Sequence, residues 1–167
     1  MINEKMLAAL NKQVNAELYA SYLYLAMALD FEDKNFPGFA SWMYQQSKEE
    51  TIHAEKIMRF IIERGSKVEL DIIDKPKNVW KDHLEAFQDA YNHEVKVTAM
   101  IHNLVKISRE ENDYATEVML HWFVTEQIEE EEQTSAIVEQ LKLVQNSSNG
   151  LFMLDRALAT RQDVSAQ

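Results

Sequence analysis

The stretch SKEETIHAEKIMRF, at residues 47–60, carries acidic and histidine side chains where a helix core is expected. Apolar residues on either side recur at helical spacing, and Glu50 and His53 occupy positions where that pattern calls for hydrophobic side chains. Two side chains three residues apart lie on one face of a helix. A carboxylate and an imidazole on one face are suitable ligands for a metal ion.

Three other long helical segments also carry polar residues at positions where the pattern calls for hydrophobic side chains. When the core seam of each is written at alternating three- and four-residue steps, every seam carries a glutamate and none carries Lys or Arg. These seam positions are Glu17, Glu50, Glu94 and Glu130, with His53 and Gln127. All lie about 13 to 17 residues from the start of their helices, near the midpoint of a 30-residue helix, so we expect them to meet at one level of a bundle.

The negative charge of these glutamates suggests that they bind metal ions. Burying ionised carboxylates without partners is costly, and no seam cation offsets that cost. Two divalent cations would balance four carboxylates, so the pattern predicts a dinuclear site. A lone polar seam residue is usually a hydrogen-bonded core side chain, and buried carboxylates can also protonate. Four coincident glutamates favour metal, and oxygen-rich coordination with one imidazole favours iron or manganese over structural zinc.

Glycine and proline divide the chain into the elements that must position these residues. Only three Gly and two Pro occur, and most coincide with breaks in the helical period. The pattern predicts helices at about 3–33, 37–64, 80–110, 114–145 and 150–160. Residues 65–80 contain Pro76 and have no helical period. At about 3.3 Å per residue they can return along a whole bundle.

We therefore predict an all-α four-helix bundle with a long crossover between helices two and three. Its predicted seam on helix three is Leu84, Phe87, Tyr91, Glu94, Thr98, Ile101 and Val105. One domain, residues 1–167, would comprise the bundle (about 3–145), a short fifth helix (about 150–160) and a polar tail (161–167). LYASYLYLAMAL on helix one is apolar nearly all round, so a partner subunit is expected to cover its second face.

Composition excludes several classes of function. The formal net charge of -11 argues against a nucleic-acid partner, whose phosphates require a basic surface. No apolar run approaches the roughly 20 residues of a membrane span. The start, MINEKMLAAL, lacks the features of a signal peptide, so a cytoplasmic location is expected. The absence of cysteine excludes disulfides, thiolate zinc sites and rubredoxin-type iron sites.

Over its whole length the chain resembles the bacterial non-haem ferritins. The segments NAELYASYLYLA, EETIH, NHEV and TEQIEEE match that family's site in order and spacing. The resemblance implies oxidation of Fe(II) by dioxygen or peroxide and storage of a ferric mineral inside a cage of 24 subunits. It further implies that one iron is held by Glu17, Glu50 and His53, and the second by Glu50, Glu94 and Glu130. Gln127 would form hydrogen bonds near the second iron.

The resemblance also implies roles for four residues around the centre. Tyr24, one heptad beyond Glu17, matches a tyrosine beside the family's centre, although core packing with a satisfied hydroxyl explains it equally well. Glu49, Glu126 and Glu129 match a third, weaker iron site that shares Glu130. The alternative for these three is a solvated acidic face, since glutamates are mostly exposed.

Related families fit less well. Symmetric di-iron bundles repeat Glu-x-x-His on two helices, whereas helix four here offers Gln127 and Glu130, which disfavours bacterioferritin and rubrerythrin. Thr51 follows the bridging glutamate where bacterioferritin has a haem-ligating methionine, so no haem is expected. The starvation-induced mini-ferritins lack a fifth helix and place their ligands between subunits.

Two other function classes remain open at this point. A di-iron or di-manganese oxidase that stores nothing could use the same bundle and would stay small. A scaffold with a vestigial site would bind no metal. Four further histidines fall off the seams and are predicted to be solvated or interfacial: His83, His93, His102 and His121.

Overall fold

The computed structural model describes residues 1–144 and 146–161. Within them the chain forms five helices and no strand: α1 (Glu4–Asp33), α2 (Pro37–Glu63), α3 (His83–Glu110), α4 (Tyr114–Val144) and α5 (Ser148–Leu158). α1 packs against α2 and α3, α3 packs against α4, and α5 contacts α2 and α4. The predicted all-α bundle with a short fifth helix is confirmed. Gln145 and residues 162–167, most of the predicted polar tail, lie outside the described residues.

Side-chain caps set the starts of the later helices. Asp113 accepts from the backbone N–H of Thr116 (3.2 Å) and caps α4, which begins at the predicted residue 114. α3 begins at His83 rather than near residue 80, because Asp82 is its N-cap. α5 begins two residues earlier than predicted, because the Ser147 hydroxyl accepts from the third residue of the helix.

The crossover between α2 and α3 runs the length of α1. At its start, the Ser66 hydroxyl accepts from the backbone N–H of Ile2 (3.3 Å), at the beginning of the chain. At its end, the carbonyl of Trp80 accepts from the Lys34 ammonium (2.5 Å), just beyond the C-terminus of α1. The segment therefore returns the chain along the whole bundle, as predicted. Within the part of the chain that is described, no helix has the length and apolarity that a membrane crossing requires.

Two apolar clusters form the core, and a polar layer separates them. Each of the four long helices contributes one stretch to each cluster. The first cluster includes Tyr24, Phe31, Phe39, Met43, Phe87 and Ile137, and the second includes Met6, Leu10, Ile57, Ile101, Leu120 and Phe123. The middle of each helix therefore lies between two apolar blocks. The buried polar side chains in those middles include Glu17, Gln46, Glu50, His53, Glu94, Gln127 and Glu130.

The buried face of α3 differs from its predicted seam. Tyr91, Thr98 and Val105 were predicted on the seam but are only half-buried, whereas the residue before each of them is buried. Small and aliphatic side chains at those preceding positions allow α3 to turn slightly about its axis. Glu94 stays on the buried face in both arrangements, so the predicted position of the glutamate is unaffected.

α5 supplies the cap that α2 lacks. Phe36, at the N-cap position of α2, makes no side-chain capping bond. The buried Asp155 carboxylate accepts instead from the backbone N–H groups of Gly38 (2.9 Å) and Phe39 (3.0 Å). The backbones of α2 and α5 approach so closely that a Cβ added at Gly38 would lie 1.7 Å from the Asp155 carbonyl oxygen. α5 is thus docked by both a hydrogen-bonded cap and close backbone packing.

Replacing Asp155 by Ala should lower the free energy of unfolding by about 1–2 kcal/mol, because two buried N–H groups at the start of α2 lose their acceptor. Denaturant unfolding at fixed protein concentration measures the change. Asp155→Asn is the matched control: its amide oxygen can still accept, so its loss should be smaller. Equal midpoints for the parent and Asp155→Ala would contradict the capping role.

Candidate metal centre

Four helices each place one buried glutamate in the polar layer, and α2 adds a histidine. The exposed fractions are 1% for Glu17 and Glu94, and 2% for Glu50, Glu130 and His53. These residues lie on the same helix faces as the apolar side chains of the two clusters. Because the helical period carries both kinds of side chain inward, the polar group is built by the packing of the core.

The ligand atoms of these five residues form two groups that share one carboxylate. Glu17, Glu50 and His53 each offer an atom within 4.8 Å of the others, and so do Glu50, Glu94 and Glu130. Both predicted ligand sets are thus brought together in space. Glu50 belongs to both sets, which gives its carboxylate the position of a bridge between two cations.

A third group adjoins the first two. Glu49, His53, Glu126 and Glu130 offer ligand atoms within the same 4.8 Å limit. This group differs from the predicted third set in two respects: it includes His53, and Glu129 is exposed and lies outside all three groups. A residue next to Glu130 in a helix is turned by about 100°, which carries Glu129 away from the buried face.

Two predicted neighbours of the centre contact Glu94. The Gln127 amide nitrogen donates to Glu94 Oε2 (3.2 Å) and to its backbone carbonyl (3.3 Å). The Tyr24 hydroxyl donates to Glu94 Oε1. Tyr24 is fully buried and also part of the first apolar cluster, so its contacts suit both packing and a role at the centre.

Three further residues contact the centre, and the sequence analysis predicted no functional role for them. The Gln13 amide donates to Glu17 Oε1 (2.8 Å), and the Gln46 amide donates to Glu130 Oε2 (2.5 Å). Gln46 lies four residues before Glu50, on the same face of α2, so a polar residue at a core position was the available sequence signal. Arg161, which bonds Glu49, gave no signal, because the two residues are 112 positions apart.

Burial governs the protonation of the cation-free cluster. It raises the pKa of Glu94 to about 7 and that of Glu130 to about 8, and it raises the pKa of Glu50 well above its ordinary value. For His53, burial lowers the pKa, but Glu50 and the neighbouring carboxylates outweigh it and leave the pKa well above the usual range. The cluster therefore holds protons that bound cations would replace.

The donor set fits divalent iron. Four carboxylates and one imidazole match the oxygen-rich, nitrogen-containing coordination that iron accepts. The buried carboxylates have raised pKa values and thus lack enough positive charge nearby, which two divalent ions would supply. The four off-seam histidines take no part: His102 and His121 are exposed, and neither they nor His83 and His93 belong to the three groups.

Comparison with known proteins gives consistent matches over almost the whole chain. Residues 7–144 match the ferritin-like domain family. The chain is 37% identical to a bacterial non-heme ferritin of Staphylococcus aureus, over 96% of this chain and 97% of that protein. It is 38% identical to the bacterial non-heme ferritin of Staphylococcus saprophyticus, over 96% of each. An open pore ferritin from Archaeoglobus fulgidus superposes with a TM-score of 0.96 at 45% identity, covering 97% of this chain and 100% of that one.

The raised glutamate pKa values predict that the cation-free protein loses stability as pH rises. Glu94 and Glu130 keep protons in the folded state up to about pH 7 and 8, whereas in the unfolded chain they ionise near 4.5. The folded state therefore binds more protons, and their contribution to stability is lost as pH rises from about 4.5 through these folded pKa values.

Thermal unfolding of the metal-free protein at pH 5, 7 and 8.5 measures this dependence. The Glu130→Gln variant has one titrating group fewer, so its unfolding temperature should fall less across the range. A divalent cation should stabilise the parent most at the highest pH. Identical pH profiles for the parent and Glu130→Gln would show that Glu130 does not titrate in this range.

Proposed function

The chain belongs to the ferritin family, and from that premise we propose that it oxidises Fe(II) and stores the product as a ferric mineral inside a cytoplasmic cage of 24 subunits. Fe(II) is the substrate, and dioxygen or peroxide is the oxidant. The observation that carries the proposal is the sharing of Glu50 between two buried ligand groups. A shared carboxylate can hold two metal ions side by side, so that both can give electrons to one oxidant.

In the proposed complex, Glu17 and His53 hold one Fe(II), Glu94 and Glu130 hold the other, and Glu50 bridges them. Two divalent ions neutralise four carboxylates, which removes the penalty of burying those charges unpaired. The protons held by the cation-free cluster leave as the ions bind. Gln13 and Gln127 keep the carboxylates of Glu17 and Glu94 oriented through their hydrogen bonds.

Electrons and protons balance in the proposed reaction. Each Fe(II) gives up one electron, and dioxygen takes two electrons and two protons to leave as hydrogen peroxide. With peroxide as oxidant, two electrons and two protons yield two water molecules. Tyr24 keeps its proton, because burial and the surrounding glutamates raise its pKa well above its ordinary value. Its hydroxyl is therefore a hydrogen-bond donor to Glu94, which orients that carboxylate.

The main competing class is an oxidase that stores nothing. It would use the same buried groups but would remain small and hold about two metal ions per chain, as a dinuclear carboxylate bundle does. The proposed storage protein would elute as a large assembly and retain far more iron. Size-exclusion mass combined with iron content after aerobic Fe(II) loading separates the two classes, and a small species with two ions per chain would contradict the storage proposal.

Replacing Glu50 or His53 by Ala should reduce rapid Fe(II) oxidation by two orders of magnitude or more, since each variant removes ligands from two of the three groups. Stopped-flow absorbance after aerobic mixing measures the rate. Glu55→Ala, an exposed change on the same helix, is the matched control and should react like the parent. Size-exclusion chromatography should show the same assembly for all variants. Parental rates in both site variants would overturn the proposed centre.

We also propose a third, weaker iron site at the Glu49 group. Removing Glu49 and Glu126 together should abolish the weakest step of an anaerobic Fe(II) titration and leave two tighter ions per chain. Glu129→Ala is the matched control, because Glu129 is exposed and outside the group. If the double variant binds as many Fe(II) ions as the parent, the third-site assignment fails while the dinuclear centre stands.

A further inference from the structure

A guanidinium already lies at the Glu49 group. Arg161, at the end of the described chain, places Nη2 2.5 Å from Glu49 Oε2 and Nη1 2.6 Å from Gln46 Oε1. Its guanidinium carbon lies 4.6 Å from the centroid of the Trp42 ring. The side chains of Arg161 and Glu49 are only 17% and 14% exposed. The pair is therefore shielded from water and held on three sides.

The Arg161 guanidinium and a metal ion in this group would compete for one carboxylate. Glu49 is both the ion-pair partner of Arg161 and a member of the group with His53, Glu126 and Glu130. A divalent ion in that group would lie within a few ångströms of the guanidinium. Like charges at that distance, away from water, repel strongly. The group is therefore suited to one of the two cations at a time.

Gln46 links Arg161 to the dinuclear centre. Its amide oxygen accepts from Arg161, while its amide nitrogen donates to Glu130 Oε2 (2.5 Å). Since an amide has one oxygen and one nitrogen, the contact with Arg161 turns the nitrogen toward Glu130. Departure of the guanidinium would free Gln46 to turn, and the effect would reach a carboxylate that belongs to both the second and the third groups.

We propose that Arg161 is a built-in competitor for the third cation. The Arg161 guanidinium neutralises Glu49 while the Glu49 group holds no metal ion. It must move away from Glu49 before a divalent ion can bind in that group. This competition sets the affinity of the third ion below that of the first two, which bind in groups without Glu49. The inference rests on the proposed function and deepens it by naming the residue that regulates the third site at the Glu49 group.

The test is an anaerobic calorimetric titration with Zn(II), which is not oxidised. Arg161→Gln removes the charge, so the weakest binding step should tighten by roughly two- to fivefold, while the tighter steps stay unchanged. Arg161→Lys keeps a cation beside Glu49 and should remain close to the parent. Arg156→Gln is the matched control, because it removes an arginine from an exposed position on α5 that lies over Phe152 rather than over Trp42.

Trp42 fluorescence gives a second readout that does not depend on activity. If Arg161 leaves the Trp42 ring when the third ion binds, emission should change in step with the weakest transition. The experiment uses a Trp122→Phe background, because the Trp122 ring packs 5.4 Å from the His53 ring and would respond to metal directly. Trp80 remains, buried in the first apolar cluster, and contributes a constant background. In the same background with Arg161→Gln, the change at the weakest step should disappear.

Each outcome decides whether Arg161 competes with the third cation or only holds the C-terminal segment against α2. Tightening confined to Arg161→Gln, with loss of its fluorescence change, supports the proposal. Zn(II) isotherms of the parent and Arg161→Gln that superpose overturn it and leave the dinuclear centre intact. Equal tightening in Arg156→Gln assigns the effect to net charge and also overturns it. Failure of the parent to bind Zn(II) in the centre overturns the proposed function and this inference together.

Discussion

Desolvation of four carboxylates at one level of a helical bundle is the constraint on which the rest of the structure depends. Ionised carboxylates are not stable side by side in a low-dielectric interior without compensating charge. In the cation-free protein the compensation comes from retained protons and from hydrogen bonds of Gln13, Gln46 and Gln127. In the proposed iron complex it would come from the substrate itself, so the feature that weakens the cation-free bundle would favour metal binding.

The two apolar clusters make this constraint tolerable. Buried side chains of all four long helices pack above and below the polar layer, so most of the packing between the helices does not depend on the polar side chains. Close packing on both sides also limits how far each carboxylate can move. The short distances within the ligand groups are therefore a property of the bundle.

The C-terminal segment acts on α2 at two separate points. Asp155 caps the start of the helix, and Arg161 reaches its middle at Glu49. The first contact is structural and lies far from the carboxylates of the centre. The second places a cation beside one of the ligand groups. The segment that docks on the outside of the four-helix bundle is thus also the one in a position to influence the proposed third cation site.

The sequence determined those features of the fold and of the site that depend on interactions between residues close together in the chain. Helical periodicity placed Glu17, Glu50, Glu94 and Glu130 on core faces, and equal distances from the helix starts predicted their common level, because both properties depend on local geometry alone. Scarce Gly and Pro likewise marked the helices and the crossover within a few residues. The resemblance to ferritins then supplied the grouping of the ligands.

Only the tertiary structure decided the features that depend on how helices rotate and on contacts between distant parts of the chain. The rotation of α3 exchanged Tyr91 and its seam partners for the residues before them, since packing against neighbours outweighs the ideal heptad pattern. Glu129 fell outside the third group because about 100° of helix rotation separates it from Glu130. His53 entered the group because its Nε2 lies 3.7 Å from Glu126 Oε1 on α4. Arg161 joined Glu49 through the docking of α5, a contact that periodicity along one helix cannot encode.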